Sequence, residues 1–131
     1  MAEAPKYFIG IPEGVIGTIT KETPKEINGF FTTDQETCLI IVAIGRGKDK
    51  RRLTLCHANQ YNDDTKILEL FDWAKPDNSD RFIFTTENIP PQFLSTLNNH
   101  LEIVKGELLK SFSAPVLQLL LNRKYKFRSY S

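Results

Sequence analysis

The sequence is poor in the residues that build disulfide scaffolds and metal centres, since its 131 residues include two cysteines and two histidines. Two cysteines are too few for a disulfide framework, so we expect reduced thiols. His100 is far along the chain from Cys38, Cys56 and His57, and no zinc-finger spacing relates the four. The sequence also has no P-loop, dinucleotide-binding glycine pattern or HExxH motif. We therefore expect no metal and no cofactor.

Long apolar runs and a charge imbalance are also missing. No apolar run approaches the ~20 residues that a membrane helix needs, so we expect no membrane partner. The net charge of +1 gives no general attraction to nucleic acid or anionic lipid. Residues Met1–Lys6 do not have the basic and then apolar pattern of a signal peptide. The expected location is the cytoplasm, or a host cell that receives the protein through a specialised secretion system.

A hairpin in the middle of the chain holds both cysteines and one of the histidines. The apolar run Cys38–Ile44 is rich in β-branched residues and stops at Gly45, which is typical of a strand covered on both faces. After a charged turn, Arg52–His57 alternates polar and apolar residues as a second strand does. The sequence therefore predicts an antiparallel hairpin over these two segments.

The register of this hairpin determines its chemistry. Matching apolar with apolar residues pairs Ile40 with Leu55 and sets Cys38 opposite His57. Facing side chains have Cβ atoms roughly 4.5–5.5 Å apart, which suits the nucleophile–base pair of a cysteine enzyme. A shift by one residue would instead set Cys38 against Cys56. The alternative interpretation of Cys38 is a core residue, because free cysteine is among the most buried residue types.

The rest of the chain predicts an α+β fold. We expect strands on both sides of the hairpin, a tight turn at Asn28–Gly29, and helices from about Asp63 to Lys75 and from Pro90 to Val104. The segment 116–121 fits a short buried helix or a strand. The expected architecture is a single domain over residues 1–131, with mostly antiparallel β-sheet layers and two to three packed helices.

Two basic segments have a structural and a functional interpretation. Arg46–Arg52 is most simply a solvated hairpin tip, although it could steer an acidic partner. The tail 122–131 alternates basic and aromatic residues, as single-strand nucleic-acid surfaces do. A tail strand with one solvated face gives the same pattern, and we favour that interpretation.

Three segments together resemble a known enzyme superfamily: Thr37–Val42, Leu53–His57 and Asp63–Lys66. They are similar to segments of the cysteine amidohydrolases, which include the CheD-like glutamine deamidases, the cytotoxic necrotizing factor toxins and the N-terminal asparagine amidohydrolase. In that superfamily a cysteine at the start of a buried strand is followed by a histidine on the next strand. A third group, often an upstream threonine or a backbone carbonyl, orients the imidazole.

The resemblance implies a catalytic set and a substrate class. Cys38 would be the nucleophile, His57 the base, and Thr32 the orienting group, with Thr33 or a backbone carbonyl as alternatives. The substrate would be a protein that presents an exposed Gln or Asn, which the enzyme deamidates through a thioester. The loop that ends at Cys38 would donate N–H groups to the oxyanion. The alternative functions are a non-catalytic protein-binding module of the same fold and a small nucleic-acid-binding domain that uses the tail.

Overall fold

The computed structural model describes residues 7–33, 38–59, 62–85, 107–110, 116–120 and 128–130. Within these ranges the chain forms strands and one α-helix, with the following bounds: β1 Tyr7–Gly10, β2 Ile16–Ile19, β3 Ile27–Thr33, β4 Leu39–Gly45, β5 Leu53–Ala58, α1 Asp64–Phe71, β6 Ser79–Thr85, β7 Glu107–Lys110, β8 Val116–Leu120 and β9 Arg128–Tyr130. The turn between β4 and β5 contains a short 3₁₀ helix at Gly47–Asp49.

The strands form two sheets, with the orders β1-β3-β8-β9 and β2-β5-β4-β6-β7. The pairs β1–β3 and β6–β7 are parallel, and the others are antiparallel. This arrangement confirms an α+β fold with mostly antiparallel sheets. The described residues contain one α-helix where two to three were expected, and the predicted helix from Pro90 to Val104 lies outside them. Within the ambiguous segment 116–121, residues Val116–Leu120 form a strand, since β8 pairs with both β3 and β9.

Strand β4 lies at the centre of the molecule, and each of its seven residues is buried. Its even-numbered side chains pack in one apolar cluster with Phe30 of β3, so the smaller sheet covers this face. Its odd-numbered side chains pack in a second cluster with Ile67 and Phe71 of α1. The residues of β4 are apolar without alternation because the strand is covered by a sheet on one face and by a helix on the other.

The β4–β5 register differs from the predicted one by two residues. Ile40 lies opposite His57 and Val42 lies opposite Leu55, so Cys38 does not face His57. A shift of two residues preserves the pairing of apolar with apolar residues, which is why side-chain matching did not detect it. It also keeps both residues on one face of the sheet, since side chains alternate with a period of two. The one-residue shift that would have paired Cys38 with Cys56 is not adopted.

The predicted tight turn at Asn28–Gly29 is wrong, because both residues lie inside β3. The strand is paired on both sides, and Gly29 is buried between Phe8 of β1 and Leu120 of β8. The register between β1 and β3 shifts at this point, since Tyr7 lies opposite Ile27 and Phe8 lies opposite Gly29. The Asn-Gly pair therefore forms a bulge within a strand, which is another common use of glycine.

Candidate active site

His57 is fully buried near the end of β5, and the hydroxyl of Thr32 holds its ring. The Thr32 Oγ1 atom donates its proton to the carbonyl oxygen of Ile11 at 2.6 Å and lies 2.7 Å from Nδ1 of His57. A hydroxyl has a single proton, so toward the ring it can only accept a hydrogen bond. Nδ1 must therefore carry a proton and donate it to Thr32. In the neutral ring, the lone pair is then on Nε2, which is the nitrogen that can act as a base.

The Cys38 thiol is buried directly before β4 and donates a hydrogen bond to Glu13. Its Sγ atom lies 2.8 Å from Oε1 of Glu13, while 3% of the residue is exposed. Extending the β4 pattern back by one residue makes Cys38 a diagonal neighbour of His57, since Ile40 lies opposite His57. Diagonal neighbours on one face are about 7–8 Å apart and are still within reach of long side chains. The hairpin and the β1–β2 loop thus bring a thiol, an imidazole and a carboxylate to one end of the central sheet.

The β1–β2 loop is anchored to the backbone of His57 by the two residues that follow Glu13. The Gly14 N–H donates to the His57 carbonyl at 2.7 Å, and the His57 N–H donates to the Val15 carbonyl at 3.2 Å. The Asn62 side chain donates to the Gly14 carbonyl at 3.2 Å. Gly14 has φ +82°, a conformation that glycine adopts without steric cost. These contacts determine the position of the Glu13 carboxylate relative to the thiol.

An open depression borders the residues that hold His57. Its volume is about 270 Å³. Its lining residues are Gly10, Ile11, Pro12, Phe31 and Thr32. The Thr32 hydroxyl and the Ile11 carbonyl, which orient the imidazole, therefore lie next to a surface that could hold part of a ligand.

Cys56 lies on the opposite face of β5 from His57 and packs in the cluster beneath α1. Burial raises the pKa of its thiol to about 12, because a thiolate there would lose its hydration. Both cysteines are thiols and not disulfide partners. Cys56 is therefore a packing residue, and Cys38 is the cysteine with polar neighbours.

The basic tip of the hairpin is a largely solvated turn, as the sequence suggested, but three of its arginines also make specific contacts. Arg46 donates to the Pro76 carbonyl and lies 3.6 Å from a carboxylate oxygen of Asp80. Arg52 lies over the Trp73 ring at 4.9 Å. Arg51 donates from one nitrogen to the backbone carbonyls of Thr23 and Pro24 in the β2–β3 loop and of Ile27 at the start of β3. These contacts show that much of the basic run supports the structure.

Sequence reasoning identified part of this site and missed another part. The structure joins Thr32 to His57 by a hydrogen bond and places Cys38 directly before β4, in which Ile40 lies opposite His57. The Thr33 side chain and the loop before Cys38, which was expected to donate to the oxyanion, lie outside the described residues. Glu13 was missed because it is 25 residues before Cys38. Its one sequence signal is a carboxylate between Pro12 and Gly14, in a loop that a glycine allows to turn sharply.

Neither a family model nor a curated protein matches the chain. The resemblance to the cysteine amidohydrolases therefore remains a prediction from the three segments Thr37–Val42, Leu53–His57 and Asp63–Lys66. Within the described ranges, no helix is long and apolar enough to cross a membrane. In those same ranges, no three His, Cys, Asp or Glu side chains are grouped so that they could hold a metal ion.

Proposed function

We propose that the chain is a cysteine amidohydrolase that deamidates a Gln or Asn side chain on another protein. The observation that supports this most directly is the Ile11–Thr32–His57 hydrogen-bond chain. It assigns the proton to Nδ1 and so makes Nε2 the basic atom of a buried ring near Cys38. A nucleophile, a base and a group that orients the base are the usual components of covalent hydrolysis.

The reaction follows from these residue types. His57 Nε2 takes the thiol proton of Cys38, and the thiolate attacks the carboxamide carbon. The tetrahedral intermediate collapses as the imidazolium gives its proton to the departing nitrogen, which leaves as ammonia and leaves an acyl thioester on Cys38. Water then attacks the thioester, with His57 as base, and the thiol is restored. The product carboxylate is Glu from Gln, or Asp from Asn.

Thr32 has an indirect role in this scheme. Its hydroxyl accepts from Nδ1–H in the resting state and continues to accept from it when the ring becomes an imidazolium. The tautomer therefore does not have to change during the reaction. Thr32 is a positioning residue, whereas Cys38 and His57 are the residues proposed to react.

The test is a comparison of the wild type with Cys38→Ala on total cellular protein. After incubation and proteolysis, mass spectrometry would identify Gln and Asn residues that gained the mass of deamidation. The proposal predicts specific sites that are converted by the wild type and by Cys56→Ala but not by Cys38→Ala or His57→Gln. The proposed amidohydrolase activity would be rejected if no converted Gln or Asn depended on Cys38 although the wild-type protein was shown to be folded.

The burial of Cys38 favours a second candidate, a protein-binding module of the same fold. A substrate carbon must reach the sulfur, and 3% exposure leaves little access in the resting structure. A depression of about 300 Å³ beside the hairpin tip is lined by four basic residues and two acidic residues, Lys21, Lys48, Arg51, Arg52, Glu22 and Asp49, together with Thr20. This candidate predicts a native protein whose Cys38 is inert to alkylation and that binds an acidic partner with an affinity that falls as salt is added.

A further inference from the structure

The contact between Glu13 and Cys38 is not used in the mechanism above. A carboxylate 2.8 Å from the sulfur opposes formation of the thiolate, because two negative charges at that separation repel each other. An arrangement that only activated the thiol would not place a carboxylate there. The β1–β2 loop nevertheless holds Glu13 in this position, because Gly14 and Val15, the two residues that follow Glu13, bond to the His57 backbone.

The chemistry of the proposed substrate gives this carboxylate a role. An ionised carboxylate accepts hydrogen bonds and does not donate them. A primary carboxamide brings two N–H donors to the sulfur, whereas a carboxylate brings acceptors and a negative charge. When His57 removes the thiol proton, Glu13 loses its donor, and the N–H of an incoming carboxamide can replace it. A carboxylate group, including the product of deamidation, is repelled from the same place.

We propose that Glu13 is the specificity-determining residue of the site, which selects a neutral carboxamide and rejects a carboxylate by accepting the amide N–H next to Cys38. This inference rests on the proposed function, because it assigns the substrate class of the same site. Glu13 itself neither gives nor receives a proton in the reaction. Its role is to orient the amide nitrogen and to favour release of the acidic product.

Two alkylating reagents separate this role from thiol activation. Iodoacetamide and iodoacetate place the same carbon on the sulfur, but the first carries a carboxamide and the second a carboxylate. The ratio of their rate constants at Cys38, measured at one pH by peptide mass spectrometry, does not depend on the thiolate fraction, because both reagents use the same thiolate. The ratio for unfolded chain in urea gives the intrinsic preference of the reagents.

The proposal predicts that the ratio of the iodoacetamide to the iodoacetate rate constant is higher in folded wild type than in the unfolded chain by about fivefold or more. This factor is the effect of two unit charges about 4 Å apart in water-like surroundings. Glu13→Gln should return the ratio toward the intrinsic value. Glu69→Gln is the matched control, since this exposed carboxylate lies on α1, across the central sheet, and its removal should leave the ratio unchanged.

A wild-type ratio equal to the intrinsic one, a ratio that Glu13→Gln does not change, or a Cys38 inert to both reagents would overturn the proposal. The proposed function fails separately, when no Gln or Asn depends on Cys38 for conversion. A ratio that depends on Glu13, in a chain that converts no protein amide, would support the selection of carboxamide at Cys38 and reject only the deamidation reaction.

Discussion

The Thr32 hydroxyl has one proton and two polar neighbours, and it can therefore donate to only one of them. This determines which ring nitrogen of His57 carries a proton. Because the proton goes to the Ile11 carbonyl, the ring must donate from Nδ1. Thr32 and Ile11 belong to the smaller sheet and its adjoining loop, while His57 belongs to the larger one. The orientation of the base therefore depends on contact between the two sheets.

Replacing Thr32 tests this contact. Thr32→Val keeps the shape of the side chain but removes the hydroxyl, which leaves the buried Nδ1–H of His57 without its acceptor. We expect the free energy of unfolding to fall by about 1–3 kcal/mol. Alkylation of Cys38 should slow by about tenfold, a part of what a positioned base contributes. Thr32→Ser retains the hydroxyl and should keep both quantities near wild type in urea titrations and labelling. Equal effects of Val and Ser would contradict the role of the hydroxyl.

Cys56 gives a pH dependence of stability. Its pKa is about 12 in the folded chain, against an ordinary value of 9.0. Between these values the unfolded chain has lost the thiol proton and the folded chain has kept it, so stability falls as pH rises. The full contribution of the Cys56 thiol to stability is present below pH 9.0. Above that pH the free energy of unfolding falls by about 1.4 kcal/mol per pH unit, until the folded pKa is reached.

The measurement is the urea midpoint from pH 8 to 11 for wild type and Cys56→Ala. Cys56→Ala should be less stable at every pH because it loses packing. Its stability should not show the additional decline with rising pH that the thiol causes in wild type. Tyrosines and lysines titrate in both proteins, so their contribution cancels in the comparison. Parallel curves for the two proteins would mean that Cys56 ionises with an ordinary pKa.

At the scale of elements, the hairpin shows what side-chain patterning can and cannot predict. Alternation identified both strands and the face on which His57 lies, because a shift by one residue would set apolar side chains of β4 opposite polar side chains of β5. A shift by two residues leaves the same kinds of side chain in contact. The offset is the one closed by the bond from the Gly45 N–H to the Arg52 carbonyl, around the 3₁₀ helix at Gly47–Asp49, which has no clear signal in the sequence.

The same turn gives a test at this scale. A Cβ atom at Gly45 would clash with the backbone carbonyl of Asp49, so Gly45→Ala must move the turn. We expect a loss of about 1–3 kcal/mol, the usual cost of overpacking. Gly47 has φ +58° and open space around it, and Gly47→Asn should cost well under about 1 kcal/mol, since asparagine tolerates this conformation. Thermal unfolding of both variants measures the difference, and equal losses would contradict the described turn.

At the scale of the whole molecule, two buried clusters lie on either side of the larger sheet. Local patterns identified β1, β2, β4, β5, β6 and the first helix, but they did not identify β7 or which strands pair. The parallel pair β1–β3 brings the Ile11 carbonyl and Glu13 to the hairpin, and it joins segments about 20 residues apart without a local turn signal. Glu13 was missed for this reason, while Cys38, His57 and Thr32 were proposed from the hairpin and its resemblance.

Both clusters should contribute strongly to stability. Ile40→Ala opens a cavity on the side of the smaller sheet, and Ile41→Ala opens one on the helix side. Each should lower the free energy of unfolding by about 2–5 kcal/mol. Leu68→Ala removes a side chain that is 48% exposed on α1 and should cost less than about 1 kcal/mol. Urea denaturation of the three variants gives the comparison, and a small effect at either buried isoleucine would mean that one layer does not pack on the sheet.

Activation of Cys38 by His57 can be measured as the rate of native alkylation across pH. The rate of iodoacetamide labelling at Cys38 and Cys56 would be measured by peptide mass spectrometry in wild type and in His57→Gln, with folding of both confirmed by circular dichroism. The account predicts that Cys38 reacts much faster than Cys56 near neutral pH and loses this advantage without the imidazole. Equal inertness of both thiols in wild type, or a Cys38 rate that His57→Gln leaves unchanged, would contradict it.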